Sequence, residues 1–285
     1  MSQRYESLIR DRRNFPNVKQ SHSDTDLPAF KTISMSQLVE SALEAPGDKP
    51  SWRPKRDELH LWLFNIARPP LSTEELIDVL SADEVLRAKR FHFADHRSQF
   101  IAAHGLMRLI LSVCGSGLAK SLAFSVGEND KPSLVATEQT QPLSFNLSHS
   151  GCWGLLAIAA TGDIGVDIEE IRSLDGMETL AADTFTPSEV AELAKLPVTR
   201  RLDGFFACWT RKEALIKADG RGLEISLDSF EVSADPDAPA ALLRADGAAK
   251  AISKFGIWDL PIIQGYRAAV AAPLALYDFK YYCII

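Results

Sequence analysis

Laid over itself with a shift of 105 residues, this sequence repeats, and the repeat limits what it can fold into more than any other feature. Ser81-Ala-Asp-Glu-Val85 falls on Thr186-Pro-Ser-Glu-Val190. Without a gap, Phe100 then meets Phe205, Ala102 meets Ala207, and Gly115-Ser-Gly-Leu118 meets Gly220-Arg-Gly-Leu223. Trp153-Gly-Leu-Leu-Ala-Ile-Ala-Ala160 resembles Tyr266-Arg-Ala-Ala-Val-Ala-Ala272 at a slightly longer offset. Self-similarity of this kind marks a duplicated structural unit. The pattern predicts an α+β pseudodimer of two similar α+β halves, each a strand, then helices, then an antiparallel strand set. The active site is expected in the cleft between them, a common place for ligands. The expected division is a polar extension over 1–55, a first half over 56–170 and a second half over 171–285.

The repeat also shows where symmetry is broken. Glu213 overlays Arg108, Lys217 overlays Ser112 and Trp209 overlays His104. An acid and a lysine stand in one copy only, so the chemistry is expected to be one-sided.

Asp163-Ile-Gly-Val-Asp-Ile-Glu-Glu170 reads as an apolar strand in which Asp167 and Glu169, at i and i+2, share a face. Trp209, Glu213 and Lys217 recur at i, i+4 and i+8 on a helix and also share a face. Alone, a D-x-E pair is usually a solvated strand end, and K-E-x-x-x-K a surface ion pair worth a few tenths of a kcal/mol. Here Phe205, Phe206 and Trp209 make the helix a buried one, and buried charges are costly unless paired or metal-bound. If helix and strand pack together, Asp167, Glu169, Glu213 and Lys217 converge. Three hard oxygen ligands suit Mg²⁺ completed by water and a phosphate.

These blocks, taken in order, resemble the larger surfactin-synthetase-activating (Sfp) type of 4′-phosphopantetheinyl transferase. The matching blocks are Phe145-Asn-Leu-Ser-His-Ser150, Gly165-Val-Asp-Ile-Glu169, and Phe205-Phe-x-x-Trp-x-x-Lys-Glu-Ala214 with Lys217 and Gly220-x-Gly-Leu223. Upstream lie Lys131-Pro132 and an Arg/Phe-rich helix at Arg87–Arg108. Asp130 is a departure, since members often carry Gly before the Lys-Pro.

The resemblance implies transfer of 4′-phosphopantetheine from coenzyme A to a serine of an acyl or peptidyl carrier protein, releasing adenosine 3′,5′-bisphosphate. It implies Mg²⁺ (or Mn²⁺) held by Asp167, Glu169 and Glu213, with Glu213 and Lys217 catalytic. Coenzyme A would be held by Arg87, Arg97, Lys131, Ser148, His149, Asp167 and Lys217. Arg87 and Arg97 would meet the 3′-phosphate, which a planar guanidinium binds bidentately. On residue type alone, His149 could equally hydrogen-bond backbone at a turn, and Arg87 and Arg97 could be the solvated face of a helix.

The chain is 285 residues long, with 46% hydrophobic residues, enough for a sizeable core. Its net charge of −7 argues against general nucleic-acid binding and requires any coenzyme A site to be a local basic patch. The apolar stretch Trp153–Ala160 is too short to cross a membrane. No apolar signal segment follows the basic N-terminus. Four cysteines without metal spacing fit reduced thiols in the cytoplasm. The expectation is a cytoplasmic monomer with transient carrier contacts, and no nucleic-acid or membrane partner. Leu174, Met177 and Leu180, at helical spacing, are candidates for the carrier-docking patch, with a helix core as the alternative on spacing alone. Two rival functions fit the same acids: another Mg²⁺-dependent phosphotransferase, and a binding protein that keeps the fold without turnover. No Walker-type glycine loop or kinase signature is present.

Overall fold

Strand Glu58–Asn65 shows why the chain is layered. Leu59, Leu61 and Leu63 face one core, while Trp62 and Phe64 face another, and all are buried. A strand apolar on both faces must be covered on both sides. The computed structural model describes residues 30–38, 52–127, 131–136, 143–274 and 277–285. Most of the N-terminal extension and Asp130 lie outside the described residues.

The elements are β1 (Lys31–Ile33), β2 (Glu58–Asn65), α1 (Thr73–Asp78), α2 (Ala82–Lys89), α3 (Ala94–Leu111), β3 (Phe124–Val126), β4 (Pro132–Leu134), β5 (Ser144–Ser150), β6 (Trp153–Ala159) and β7 (Gly165–Glu170). They continue with α4 (Met177–Thr184), α5 (Pro187–Lys195), α6 (Val198–Asp219), β8 (Phe230–Val232), β9 (Leu242–Ala245), β10 (Phe255–Asp259), β11 (Tyr266–Pro273) and β12 (Asp278–Ile284).

The duplication is visible in the pairing. In the first half β2, β6 and β5 pair antiparallel in that order; in the second, β7, β11 and β10 do the same. Each half then carries its long helix, α3 or α6, on the outer face of its sheet. The inner faces pack on each other: Leu61, Leu155 and Ala157 meet Val166, Ile168 and Val270 in a shared core. The result is four layers, helix–sheet–sheet–helix, an α+β arrangement of two lobes. By pairing, β7 groups with the second half, so a division after residue 170 cuts the acid-bearing strand from its own sheet.

Two features lie outside the duplicated plan. Strand β12 joins the first-half sheet parallel to β2, and β1 covers the outer edge of β12. The N-terminal stretch read as a polar linker thus contributes a short strand, because β12 would otherwise present an unpaired backbone edge. Residues 94–115 are long and apolar enough to cross a membrane by length and composition, but they form the largely buried core helix of the first half.

Helix starts follow the sequence closely. Ser72, Ser81 and Thr186 each cap a helix through a capping box completed by Glu75, Glu84 and Glu189. Leu180 is buried, and Leu174 and Met177 pack against the same second-half core. The three thus line the core, with Leu174 and Met177 half-buried at its rim. Helical spacing marks a core stripe as readily as a surface one, and here the core is what they cover.

Candidate active site

The site begins with a glycine. Residues 165, 167 and 169 point from β7 toward α6, and at Gly165 the helix backbone comes very close. A Cβ there would stand 2.2 Å from the Ala214 carbonyl oxygen and 2.3 Å from the Ala218 amide nitrogen. Ala214 and Ala218, both fully buried, are the small residues that α6 presents at this crossing. Close approach lets a short aspartate reach a helix side chain. Lys217 Nζ lies 2.6 Å from Asp167 Oδ1 and also donates to Val166 O at 3.1 Å.

The opposite wall comes from the first half. Strand β5 ends its own sheet and lies beside β7, which ends the other. No backbone ladder joins them; side chains do. Asn146 Oδ1 accepts from the Val166 amide at 2.8 Å, Ser148 Oγ donates to Asp167 Oδ1 at 2.9 Å, and Ser150 Oγ donates to Glu169 Oε2 at 2.7 Å. Every second residue of β5 takes part, as strand alternation requires. Lys217 Nζ also donates to Ser148 Oγ at 2.9 Å, closing a three-residue network over both halves.

Asp167 and Lys217 are thus brought together as the strand and helix spacing suggested, and Ser148 joins them, with Glu169 two residues along the same face and Glu213 one helical turn before Lys217. Trp209, another turn back, is buried with Phe185 and Phe205 in the second-half core. Among the described residues, however, no three His, Cys, Asp or Glu side chains form a ready-made metal cage. Asp167, Glu169 and Glu213 share the joint without already forming such a cage. Carboxylates repel one another, and at Asp167 the positive charge comes from Lys217.

The donor set still fits a hard cation, because Asp167 Oδ2 is buried and has no hydrogen-bond partner. A fully buried aspartate (0% exposed) with one orphaned oxygen is costly unless something positive meets it.

The expected nucleotide contacts are more scattered. Lys131 Nζ donates to Ile164 O at 3.1 Å and Ala218 O at 3.0 Å, bridging the entry to β7 and the last turn of α6. Burial lowers its pKa below the ordinary lysine value. A cavity of about 250 Å³ opens beside it, lined by Pro132, Phe145, Gly162 and Asp163 among others. His149 is exposed, on the face of β5 opposite Ser148 and Ser150. Arg87 is exposed, its guanidinium over the Phe100 ring at 5.4 Å, and Arg97, also exposed, donates to Phe91 O at 3.1 Å. Gln99 Nε2 reaches Gly151 O at 3.4 Å, which sets the start of α3 beside the β5–β6 turn.

Sequence reasoning missed Asn146, Ser150 and Gly165 as the residues that fasten β5 and α6 to β7. The alternation Asn146-x-Ser148-x-Ser150 was readable. That its partners were the alternate residues of β7, in the other sheet, was not.

Comparison with known proteins gives a consistent result. Residues 163–271 match the model of the 4′-phosphopantetheinyl transferase superfamily, and residues 50–161 that of the 4′-phosphopantetheinyl transferase N-terminal region. The chain is 36% identical over 202 residues to 4′-phosphopantetheinyl transferase HetI of Nostoc sp., an alignment covering 68% of this chain and 85% of that one. It is 28% identical over 206 residues to 4′-phosphopantetheinyl transferase Sfp of Bacillus subtilis, covering 71% and 88%. A shorter stretch of 94 residues is 43% identical to 4′-phosphopantetheinyl transferase AcpT of Salmonella typhi, covering 33% and 47%.

Proposed function

The chain belongs to the 4′-phosphopantetheinyl transferases and is an enzyme of that class, and from that premise we propose that it moves 4′-phosphopantetheine from coenzyme A to a serine of an acyl or peptidyl carrier protein. The serine Oγ attacks the phosphorus bearing the pantetheine arm, the bond to the bridging oxygen breaks, and adenosine 3′,5′-bisphosphate leaves. The observation that best supports this reading is the Ser148–Asp167–Lys217 network at the joint of the two halves, with Asp167 Oδ2 left for a cation.

Each residue has a task. Lys217, already aimed into the joint, binds the phosphate that leaves and stabilises the charge developing on it. Glu213, on the same face of α6, takes the proton of the attacking serine. Asp167, Glu169 and Glu213 would hold Mg²⁺ or Mn²⁺, which would supply positive charge to the pyrophosphate. Ser148, Asp167 and Lys131 face the diphosphate side, and His149 adds a contact from the exposed face of β5. Arg87 and Arg97 take the 3′-phosphate. They belong to the basic run Arg87, Lys89, Arg90, Arg97, the local patch that an acidic chain needs for a polyanionic substrate. All four cysteines are free, which agrees with a reducing, cytoplasmic setting, and the enzyme works as a monomer meeting its carrier transiently.

Intact-mass spectrometry of an apo carrier protein incubated with coenzyme A, Mg²⁺ and this enzyme tests the reading. The carrier should gain the mass of one phosphopantetheine group. No gain on any carrier class, with coenzyme A still bound, would favour a binding protein; hydrolysis of coenzyme A without transfer would favour a phosphohydrolase.

A further inference from the structure

Ser150 stands two residues beyond Ser148 on the same face of β5 and makes the matching contacts one step along the strand. Its Oγ donates to Glu169 Oε2 at 2.7 Å and accepts from the Glu170 amide at 3.1 Å. A hydroxyl has one proton to give. Because the amide can only donate, that proton is committed to the carboxylate and the Ser150 rotor is fixed.

The backbone around it is pinned as well. Gly151 has φ 54°, and a Cβ there would lie 2.4 Å from Glu170 Oε2 and 2.5 Å from the Tyr266 hydroxyl. The same hydroxyl accepts from the Cys152 amide at 3.1 Å. Tyr266 is itself buried and is the cross-strand partner of Glu170. The β5–β6 turn is therefore clamped between β7 and β11, and Ser150 cannot withdraw from Glu169 unless the clamp opens.

We propose that Ser150 is a positioning residue: it holds Glu169 in the orientation from which that carboxylate meets the divalent cation. The inference rests on the reading above that Asp167, Glu169 and Glu213 take the metal. It adds a first-half side chain that sets the geometry of a second-half ligand, so the metal site needs both halves even though all its carboxylates come from one. Outer hydrogen bonds of this kind orient a metal ligand, and their loss costs roughly 10–100-fold in metal affinity.

The test uses the full chain and the variants Ser150→Ala, Ser150→Thr and Asp167→Ala. Calorimetry measures Mn²⁺ binding in the presence of coenzyme A and coenzyme A binding without metal; transfer rate is followed against Mg²⁺ concentration. Ser150→Ala should weaken Mn²⁺ and raise the apparent KM for Mg²⁺ about tenfold, the low end of that range. Turnover at saturating Mg²⁺ and metal-free coenzyme A binding should stay near wild type. Ser150→Thr, which restores the hydroxyl on a strand, should recover most of the metal affinity; a purely structural role at this turn would instead make Ser150→Ala lower the melting temperature and metal-free coenzyme A binding together with metal affinity. If Ser150→Ala lowers turnover at every Mg²⁺ concentration without changing metal affinity, the inference fails. If Asp167→Ala weakens the metal but Ser150→Ala does not, the inference fails alone and the metal reading stands. If neither does, the metal reading fails and takes this inference with it. Should Ser150→Ala not fold, Ser150→Thr with a wild-type melting temperature and weakened Mn²⁺ binding would likewise overturn it.

Discussion

Each half of the molecule packs a carboxylate–cation pair against its long helix, the cation carried by that helix, and the two pairs are built alike. In the first half Glu84, which completes the capping box of α2, binds Arg108 of α3 at 2.6 Å; Arg108 also donates to the carbonyls of Ala119 and Leu122. In the second half Glu189, which completes the capping box of α5, binds Lys212 of α6 at 2.7 Å; Lys212 donates to the carbonyls of Leu227 and Phe230. Arg108 lies over the Phe124 ring and Lys212 over Phe230. These are the same device twice, tying a helix end to a loop through a buried charge. What the second half adds lies next to it: Glu213 and Lys217, on the side of α6 that meets β7. A lysine at 212 serves the fold, and on the mechanism proposed above a lysine five residues later serves the chemistry.

The comparison is sharpest when the two lysines of α6 are removed in turn. Lys212→Ala leaves a fully buried Glu189 without its cation, and breaking such a pair costs about 3–5 kcal/mol. Urea denaturation should show a loss of that order, or no folded protein. Lys217→Ala also takes the cation from a fully buried Asp167, so some stability should be lost there too. The loss should be smaller, because Lys217 is 22% exposed and water can take the place of its ammonium, while transfer is nearly abolished. Equal losses of stability in the two variants would erase the distinction between a structural and a chemical lysine.

Gly165→Ala comes next. The added methyl meets helix backbone rather than a movable side chain, so α6 must shift off β7. Overpacking of this kind costs about 1–3 kcal/mol. The shift should also separate Lys217 from Asp167, so transfer should fall further than stability alone explains. Unchanged activity would mean that the close helix–strand contact is not what aims Lys217.

An acid titration probes the first-half pair in another way. Burial pushes the Glu84 carboxyl upward, but hydrogen bonds from His104 and the Ser81 amide, with the charge of Arg108, outweigh it and hold the pKa at about 2. A carboxyl depressed on folding stabilises the protein above its unfolded pKa, about 4.3, and that contribution is lost as pH falls through about 2. Wild-type stability should therefore decline between those values. In Glu84→Gln the decline should be shallower in that window, from a lower plateau. Parallel curves for the two proteins would show that Glu84 is not held down by its partners.

The smallest effect belongs to the exposed nucleotide contact. Arg87→Ala should weaken coenzyme A by about 1.5–3 kcal/mol, the worth of a charge-assisted contact. It should weaken 3′-dephospho-coenzyme A much less. Equal weakening of both ligands, by calorimetry, would place Arg87 elsewhere.

The duplication was readable as a repeat at one fixed offset, and the pairing of Asp167 with Lys217 because each shares a face with its neighbours by short-range periodicity. Asp167 and Glu169 share a face by strand alternation, and Glu213 and Lys217 share one by the helical turn. The finer register was not. A shift of 105 residues carries Glu84 onto Glu189 but Arg108 onto Glu213, whereas the side chain that does Arg108's work is Lys212. The two long helices also end differently: α3 runs into a π-turn over Ser112–Ser116, while α6 stays α-helical to Asp219. Linear overlay cannot register that difference. Nor could the sequence reveal that Leu174, Met177 and Leu180 pack inward, or that Asn146, Ser148 and Ser150 fasten β5 to β7, because those contacts join segments that periodicity treats separately.

The central claim is that chemistry resides where α6 crosses β7, at Asp167. Its most direct test is the initial rate of phosphopantetheine transfer to an apo carrier protein, followed by intact mass, for wild type and Asp167→Asn across a Mg²⁺ titration. Asn keeps the shape and the Ser148 contact but removes the charge from the orphaned oxygen. A folded Asp167→Asn protein with transfer reduced at least about 100-fold, in the range expected when a group essential to the transition state is lost, is the predicted result. Near wild-type transfer at low Mg²⁺ would contradict it.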